Sequence, residues 1–204
     1  MSPAGTRIDH DIILDLVPRG AKVLDLGCGD GSLLEKLVRT KEVRGSGIEI
    51  SDEGVRACIE KGLAVMQGDI DLGLADWPDQ SFDYIILNQT LQAVMKPEAV
   101  IREMLRVGRK AVMGFPNFAY WKIRMYLLLF GRMPKTKFLA HEWYNTPNIH
   151  FCSIKDFDEY CGKNDLRVER RIYLSIDREG RVLQGILPNL FAETAVYLLS
   201  KGGA

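Results

Sequence analysis

The sequence predicts a doubly wound α/β fold whose mostly parallel sheet has seven strands. Three observations lead to this prediction. Short apolar segments alternate with helical patterns, the first segment ends in a glycine-rich turn that opens a helix, and acidic or amide residues follow the strands. Such alternation is typical of βαβ units. Because ligands bind outside the carboxyl ends of the strands in open α/β sheets, the residues that follow the strands form the candidate site.

The glycine-rich turn is the most informative feature of the chain. Residues 23–31 read VLDLGCGDG, an apolar strand that contains Asp25 and leads to Gly27, Gly29 and Gly31. We refer to the last five residues of this run, which include Cys28, as the glycine loop. Glycine lacks a Cβ, so the backbone can turn sharply and a ligand can lie directly against it. We therefore predict a cofactor-binding loop rather than a strand-to-helix turn without a ligand.

The spacing of the glycines distinguishes two kinds of cofactor. A dinucleotide-binding loop has the pattern GxGxxG, which requires a third glycine where Ser32 stands. The run here is GxGxG instead. Ser32 is predicted to cap the helix that follows, with Glu35 completing a capping box. The free N–H groups of this helix would then face the loop and could bind a carboxylate or hydroxyl of a ligand.

The second and third predicted strands both lead to acidic residues. Residues 44–50 form a strand ending in Glu49 and Ile50, with Ser51 as the next helix cap. A carboxylate at this position can accept hydrogen bonds from both hydroxyls of a ribose, and the alternative is a solvated loop acid. The third strand, within residues 63–70, ends in Asp69. Asp after Gly is also common in turns, and Asp71 is a competing candidate.

The fourth predicted strand, residues 82–88, is nearly all apolar, as expected of a strand buried on both faces. Asn88, Gln89 and Thr90 follow at its end and are predicted to face the same crevice as Gly29 and Glu49.

The second half of the chain continues the alternation. Helical patterns cover residues 97–107 and 153–163, the latter with a capping box, and strands are predicted at 110–115, 166–176 and 192–200. The whole chain, residues 1–204, is expected to form a single domain, with a lid or partner-binding insertion at about 116–152. Within it, residues 120–130 are predicted to form a helix with apolar and aromatic residues nearly all round.

Two histidines fall in the long loop of this insertion. His141-Glu142 resembles the start of a metalloprotease motif, but that motif requires a second His where Asn145 stands, so no metal site is predicted. His141 or His150 could act as a general base, and the alternative for each is a structural hydrogen bond.

The glycine loop and the acids after the second and third strands resemble those of class I S-adenosylmethionine-dependent methyltransferases. The resemblance implies a Rossmann-like sheet, with S-adenosylmethionine or S-adenosylhomocysteine as cofactor. It implies that Asp69 accepts from the adenine amino group and that the Ile70 amide meets a ring nitrogen. The implied cofactor-binding residues are Asp25, Gly27, Cys28, Gly29, Gly31, Glu49, Ile50, Asp69, Ile70, Asn88 and Gln89. Enzymes that methylate nucleic-acid bases carry an Asn/Asp-Pro-Pro-aromatic run after the fourth strand, and Asn88-Gln89-Thr90-Leu91 departs from it.

Over nearly its full length the chain resembles one branch of this superfamily, the MetW family of bacterial methionine-biosynthesis proteins. The resemblance rests on the runs at 23–31, 87–92, 114–117 and 138–148. It implies a role in making methionine, often alongside a homoserine O-acyltransferase of the MetX type. It identifies no methyl acceptor and no catalytic residue.

Composition excludes some partners. The 27 basic and 27 acidic side chains balance, so a sequence-independent hold on nucleic-acid phosphates is not expected. The N-terminus lacks the basic and apolar pattern of a secretory signal, and the 120–130 helix is too short and too charged to span a bilayer. We expect a cytoplasmic protein that binds neither nucleic acid nor membrane. Two functions stay open: a methyltransferase acting on an unidentified small molecule, or an adenosyl sensor that regulates the acyltransferase.

Overall fold

The computed structural model describes residues 7–136, 141–175, 181–183 and 187–203. The helices are α1 (Ile8–Leu16), α2 (Ser32–Lys41), α3 (Asp52–Glu60), α4 (Pro97–Val107), α5 (Trp121–Phe130), α6 (Ile154–Lys163) and α7 (Pro188–Phe191). The strands are β1 (Lys22–Leu26), β2 (Arg44–Glu49), β3 (Ala64–Gln67), β4 (Phe82–Asn88), β5 (Gly108–Pro116), β6 (Leu166–Ser175), β7 (Arg181–Leu183) and β8 (Thr194–Lys201). Residues 138–140 and Ile176, which belong to predicted features, lie outside the described residues.

The strands form one sheet in the order β3-β2-β1-β4-β5-β8-β6-β7. β1 to β5 pair in parallel, and β8 runs antiparallel between β5 and β6. The predicted doubly wound, mostly parallel sheet is thereby confirmed, and all seven predicted strands occur in it. The eighth strand, β7, was not predicted; it has three residues and pairs antiparallel with β6.

The central strands are buried on both faces because helices cover both sides of the sheet. Successive side chains of β4 alternate between two cores: Ile85 packs with residues of α4 and α6, and Ile86 packs with residues of α1 and α2. This alternation follows from the two-residue period of a strand. It leaves the carboxyl edge of the parallel strands as the place where loops can form a site.

Helix α1 is an element that the sequence analysis missed. It buries Ile13 and Leu16 in the core shared with α2. It begins after Arg7, which makes no side-chain capping bond, so the usual sign of a helix start is absent. Its consequence for the site is that Asp9, in its first turn, reaches the end of β4.

Two of the three predicted helix caps are confirmed. Ser51 accepts from the Gly54 N–H, and Ser153 forms a capping box with Asp156. The prediction for Ser32 was wrong. Gly31 occupies the cap position of α2 in a left-handed conformation, and the Ser32 N–H donates to the Asp30 side chain at 3.0 Å.

Candidate functional site

The glycine loop connects β1 to α2 through three glycines in the left-handed region, with φ of 66°, 56° and 72°. Two of them are required by packing within the protein. A Cβ on Gly27 would lie 2.8 Å from the Thr90 side chain, and one on Gly31 would lie 2.6 Å from the Leu63 side chain. Gly29 differs, since nothing lies within 4 Å of the position its Cβ would take. A ligand can therefore lie against the backbone at Gly29.

Glu49 lies at the end of β2 beside the glycine loop. Its carboxylate accepts from the Gly29 N–H at 2.8 Å and from the Ser51 N–H at 2.9 Å. The residue is only 8% exposed, and a Cβ on Gly54 would lie 2.7 Å from Glu49 Cγ. The carboxylate is thus held in one orientation, and each oxygen keeps a further lone pair for a hydroxyl donor.

Asp25 lies in β1 and is 2% exposed. Burial is the main cause that raises the pKa of its carboxyl group to about 7; Arg7 opposes the shift and the negative charge of Glu49 adds to it. A carboxyl group that is partly protonated near neutral pH can donate as well as accept a hydrogen bond. Its side chain is buried in the strand that leads into the glycine loop.

The side chain of Cys28 packs inside the protein. Its Sγ lies 3.8 Å from that of Cys58, and a Cβ on Gly47 would lie 2.6 Å from it. Burial raises the pKa of the thiol, with further contributions from Asp25 and Cys58, so the group is neutral. Only the backbone of Cys28 remains for contact with a ligand.

The acids after β3 have separate roles. Asp71 accepts from the N–H groups of Met95 and Lys96, both at 2.8 Å, and so ties its turn to the segment before α4. Asp69 accepts from the Asp71 N–H at 2.9 Å and is half-buried. Ile70 is buried in the core, whereas Ile50, after β2, is exposed. The structure leaves Asp69 better placed for a ligand than Asp71.

Asn88 and Gln89 lie together at the end of β4. Asn88 Nδ2 donates to Asp9 at 2.8 Å, a contact with α1 that nothing in the local sequence indicates. Gln89 has a φ of 57°, which is unusual for a residue other than glycine, and its N–H donates to Gly114 at 2.7 Å. Among the described residues, Asn88 Oδ1 and Gln89 Nε2 are buried without a hydrogen-bond partner. Such atoms often mark the position of a ligand or an ordered water.

A cavity of about 310 Å³ lies on the α4 and α6 side of the same edge. Its lining includes Leu91, Gln92, Ile101, Phe118, His150 and Tyr160. Its walls come from segments far apart in the chain, which the fold brings together at this edge.

The two histidines of the loop differ in position. His150 lines the cavity, and its Nε2 is buried with no partner among the described residues. His141 is exposed, and nearby the Asn145 side chain accepts from the Glu142 N–H at 3.0 Å. In the part of the chain that is described, no group of three or more metal-ligating side chains is placed to hold an ion.

Helix α5 carries a large apolar surface. Of its ten residues only Ile123 is buried, and Leu128 and Phe130 are 77% and 63% exposed. We refer to the exposed side chains of residues 125–130 as the α5 surface. A contiguous apolar surface of this kind is typical of an interaction site. None of the described helices is long and apolar enough to cross a membrane.

Solved structures with this fold include a methyltransferase in complex with the Trm112 methyltransferase activator of Haloferax volcanii. It superposes with a TM-score of 0.70 and 18% sequence identity, over 96% of this chain and 90% of that chain. An S-adenosylmethionine-dependent methyltransferase from Mesorhizobium loti gives a TM-score of 0.68 and 13% identity, over 95% and 98% of the two chains. Together with the sheet order and the glycine loop, these matches define the fold as that of class I methyltransferases.

Sequence comparison identifies the branch of this superfamily. The model of the family "Methionine biosynthesis protein MetW" matches residues 7–199, and the chain belongs to that family. The bifunctional methionine biosynthesis protein MetXA/MetW of Rhodopirellula baltica is 38% identical over 198 residues, which cover 93% of this chain. The match spans only 32% of the length of that relative. The chain is therefore a methyltransferase-fold protein of methionine biosynthesis.

Proposed function

We propose that the protein binds S-adenosylmethionine or S-adenosylhomocysteine at the glycine loop and acts with, or regulates, a homoserine O-acyltransferase of the MetX type. The observation that supports adenosyl binding is the open space at Gly29, which lies beside the fixed carboxylate of Glu49. The loop offers a backbone that a ligand can approach closely, and Glu49 supplies acceptors for ribose hydroxyls.

The other implied residues complete this site. Asp69 and the Ile70 amide would meet the adenine, and the backbone of the glycine loop would support the rest of the adenosyl group. The Gln89 amide, whose Nε2 is buried without a partner among the described residues, would lie toward the far end of the ligand. When bound, S-adenosylmethionine supplies an electrophilic methyl group, and the chain's own residues orient it.

Calorimetry tests the binding part. S-adenosylhomocysteine, titrated into protein cleared of bound ligand, should release or absorb heat and raise the thermal stability. Binding to the native state alone stabilises it by about 2.7 kcal/mol at a hundredfold excess over Kd. NAD should give no effect, because the loop lacks the third glycine of the dinucleotide pattern. If neither adenosyl ligand binds, the proposal is wrong.

Two observations support the proposed association with the acyltransferase. The α5 surface exposes more apolar area than a helix packed on its own domain requires. The Rhodopirellula baltica relative is named as a MetXA and a MetW protein in one chain, so the two activities can be physically joined there. We infer that the acyltransferase covers the α5 surface.

The partner part is tested by the double variant Leu128→Ser with Phe130→Ser. Association with the homoserine O-acyltransferase of the same organism should be lost in light scattering, while S-adenosylhomocysteine binding stays unchanged. Ile59→Ser is the matched control, because Ile59 is an exposed aliphatic residue on a different helix, α3. Association that survives the double variant unchanged would show that α5 is not the interface.

The cavity favours a second function, that of a methyltransferase acting on a small molecule. Methyl transfer depends mainly on alignment of the acceptor with the methyl group, so it requires no acid or base from the protein. Incubation with S-adenosylmethionine and a metabolite extract distinguishes the two functions. An enzyme forms S-adenosylhomocysteine only when the acceptor is present, and a regulator forms none.

A further inference from the structure

We infer that the cavity beside α4 and α6 is a second ligand site, which takes a small molecule with an apolar body and an ammonium group. The role of this ligand, as methyl acceptor or as effector, rests on the proposed function, but its binding does not. The volume of about 310 Å³ lies at the lower end of the range for small-molecule pockets.

The walls of the cavity are largely aromatic. Phe118 and Phe151 meet edge to face with centroids 4.9 Å apart, and Phe157 stacks against Tyr160 at 6.1 Å. All four rings belong to the lining. Aromatic faces bind apolar groups and also attract cations, so they suit a ligand that carries both.

Two buried polar atoms in the lining lack partners among the described residues. Gln92 is 9% exposed, and its Nε2 donates to the Gln89 carbonyl at 2.7 Å, which fixes the amide and leaves Oε1 unpaired. His150 Nε2 is the second such atom. The loop that contains His150 is held beside Gln92, because the N–H groups of Ile149 and His150 donate to the Gln92 carbonyl at 2.8 and 3.0 Å. A hydrogen-bond donor on a ligand would satisfy Gln92 Oε1, and His150 Nε2 can accept or donate according to its tautomer.

The charge of the cavity favours a ligand whose hydrogen-bond donor is positively charged. Glu98 and Asp156 belong to the lining, and none of the described lining residues is Lys or Arg. Asp156 already accepts hydrogen bonds from Ser153 in the capping box, so Glu98 is the carboxylate available to a ligand. The negative charge of Glu98 also contributes, after burial, to raising the pKa of Tyr160. An ammonium group is favoured here and a carboxylate is disfavoured.

The cavity is joined to the glycine loop by the turn of residues 88–92. The Thr90 side chain fills the space that a Cβ on Gly27 would occupy, and Gln92, two residues later, lines the cavity. One short turn therefore contacts both sites. The second ligand would lie on the other side of this turn from the proposed adenosyl site.

Three probes with the same phenyl body test the inference: 2-phenylethylamine, 2-phenylethanol and 3-phenylpropionate. In ligand-observed NMR titrations of the full chain, the amine should bind most tightly and the acid least. Glu98→Gln should weaken the amine about threefold and leave the alcohol unchanged. His150→Phe should weaken both roughly tenfold, since it removes a buried hydrogen-bond partner. His141→Phe, at an exposed histidine outside the cavity, is the matched control and should change neither.

Parallel titrations with S-adenosylhomocysteine separate this inference from the proposed function. The cavity variants should leave adenosyl affinity unchanged, and the amine should bind with or without S-adenosylhomocysteine. The inference falls if the acid binds as tightly as the amine, if neither cavity variant changes amine affinity, or if the two ligands exclude each other. If S-adenosylhomocysteine does not bind but the amine does, the proposed function fails and the second site stands.

Discussion

The substitution Gly29→Ala tests whether a ligand lies against the glycine loop. Gly29 has a φ of 56°, and nothing lies within 4 Å of its Cβ position, so the added methyl group meets no atom of the free protein. The left-handed conformation should cost about 1–2 kcal/mol with any residue that has a Cβ. A bound adenosyl group would meet the methyl group as well, at a further cost of roughly 1–3 kcal/mol. That cost corresponds to a 5- to 150-fold loss of affinity at about 1.4 kcal/mol for each factor of ten.

Gly20→Ala provides a matched control for this substitution. Gly20 has a φ of 73°, also has nothing within 4 Å of its Cβ position, and precedes β1 at the opposite end of that strand. Both variants should lower the melting temperature by a few degrees, about 2–4 °C for each kcal/mol. Calorimetry with S-adenosylhomocysteine should show weaker binding only for Gly29→Ala. Equal affinities of Gly29→Ala and the parent would refute the reasoning that the ligand lies on this loop.

Three buried polar side chains allow further predictions. Glu49→Gln should lower the free energy of unfolding, measured in urea, by about 1–3 kcal/mol, because an amide cannot accept from both N–H groups that the carboxylate holds. The same variant should weaken S-adenosylhomocysteine binding roughly tenfold. Asn117→Ala should lower the free energy of unfolding by roughly 2–3 kcal/mol in the same assay, since the buried amide donates to the Ala192 carbonyl at 2.8 Å and makes two further hydrogen bonds. For either variant, a urea midpoint like that of the parent would contradict the prediction. Asp25 has a folded pKa of about 7, above its unfolded value, so its protonated form stabilises the fold at low pH and this contribution is lost as pH rises from about 4 to 7. The stability of the parent relative to Asp25→Asn should therefore fall across that window, by a few kcal/mol. A constant difference would show that the site of Asp25 does not destabilise the ionised carboxylate.

The sheet could be predicted from the sequence because its determinants are local. Apolar periodicity, the glycine run and the turn residues each act over a few neighbours, and the seven strands they predict all occur in the sheet. Helix α1 was missed because its start lacks a capping side chain. Strand β7 has only three residues, and its pairing depends on the edge that β6 offers. These elements are determined by tertiary contacts that no short window contains.

The candidate site shows the same division. The positions of Gly29 and Glu49 followed from the strand pattern, whereas their hydrogen bond joins residues twenty apart and appears only in the fold. The bonds that the Glu49 carboxylate accepts from the Gly29 and Ser51 N–H groups indicate that loss of this carboxylate also weakens the loop. The Asn117 amide, part of a run that the family resemblance used, holds the Ala192 carbonyl, so its role is structural.

The turn of residues 88–92 connects the two proposed sites physically. Asn88 is held by Asp9, Thr90 packs on Gly27, and Gln92 lines the cavity, so a movement of this turn changes both sites at once. An enzyme would use such a connection to align acceptor and methyl group, and a regulator would use it to couple two ligands. Coupling between binding sites is reciprocal. A cavity ligand that binds more tightly in the presence of S-adenosylhomocysteine must therefore strengthen adenosyl binding by the same factor, whichever of the two functions the protein serves.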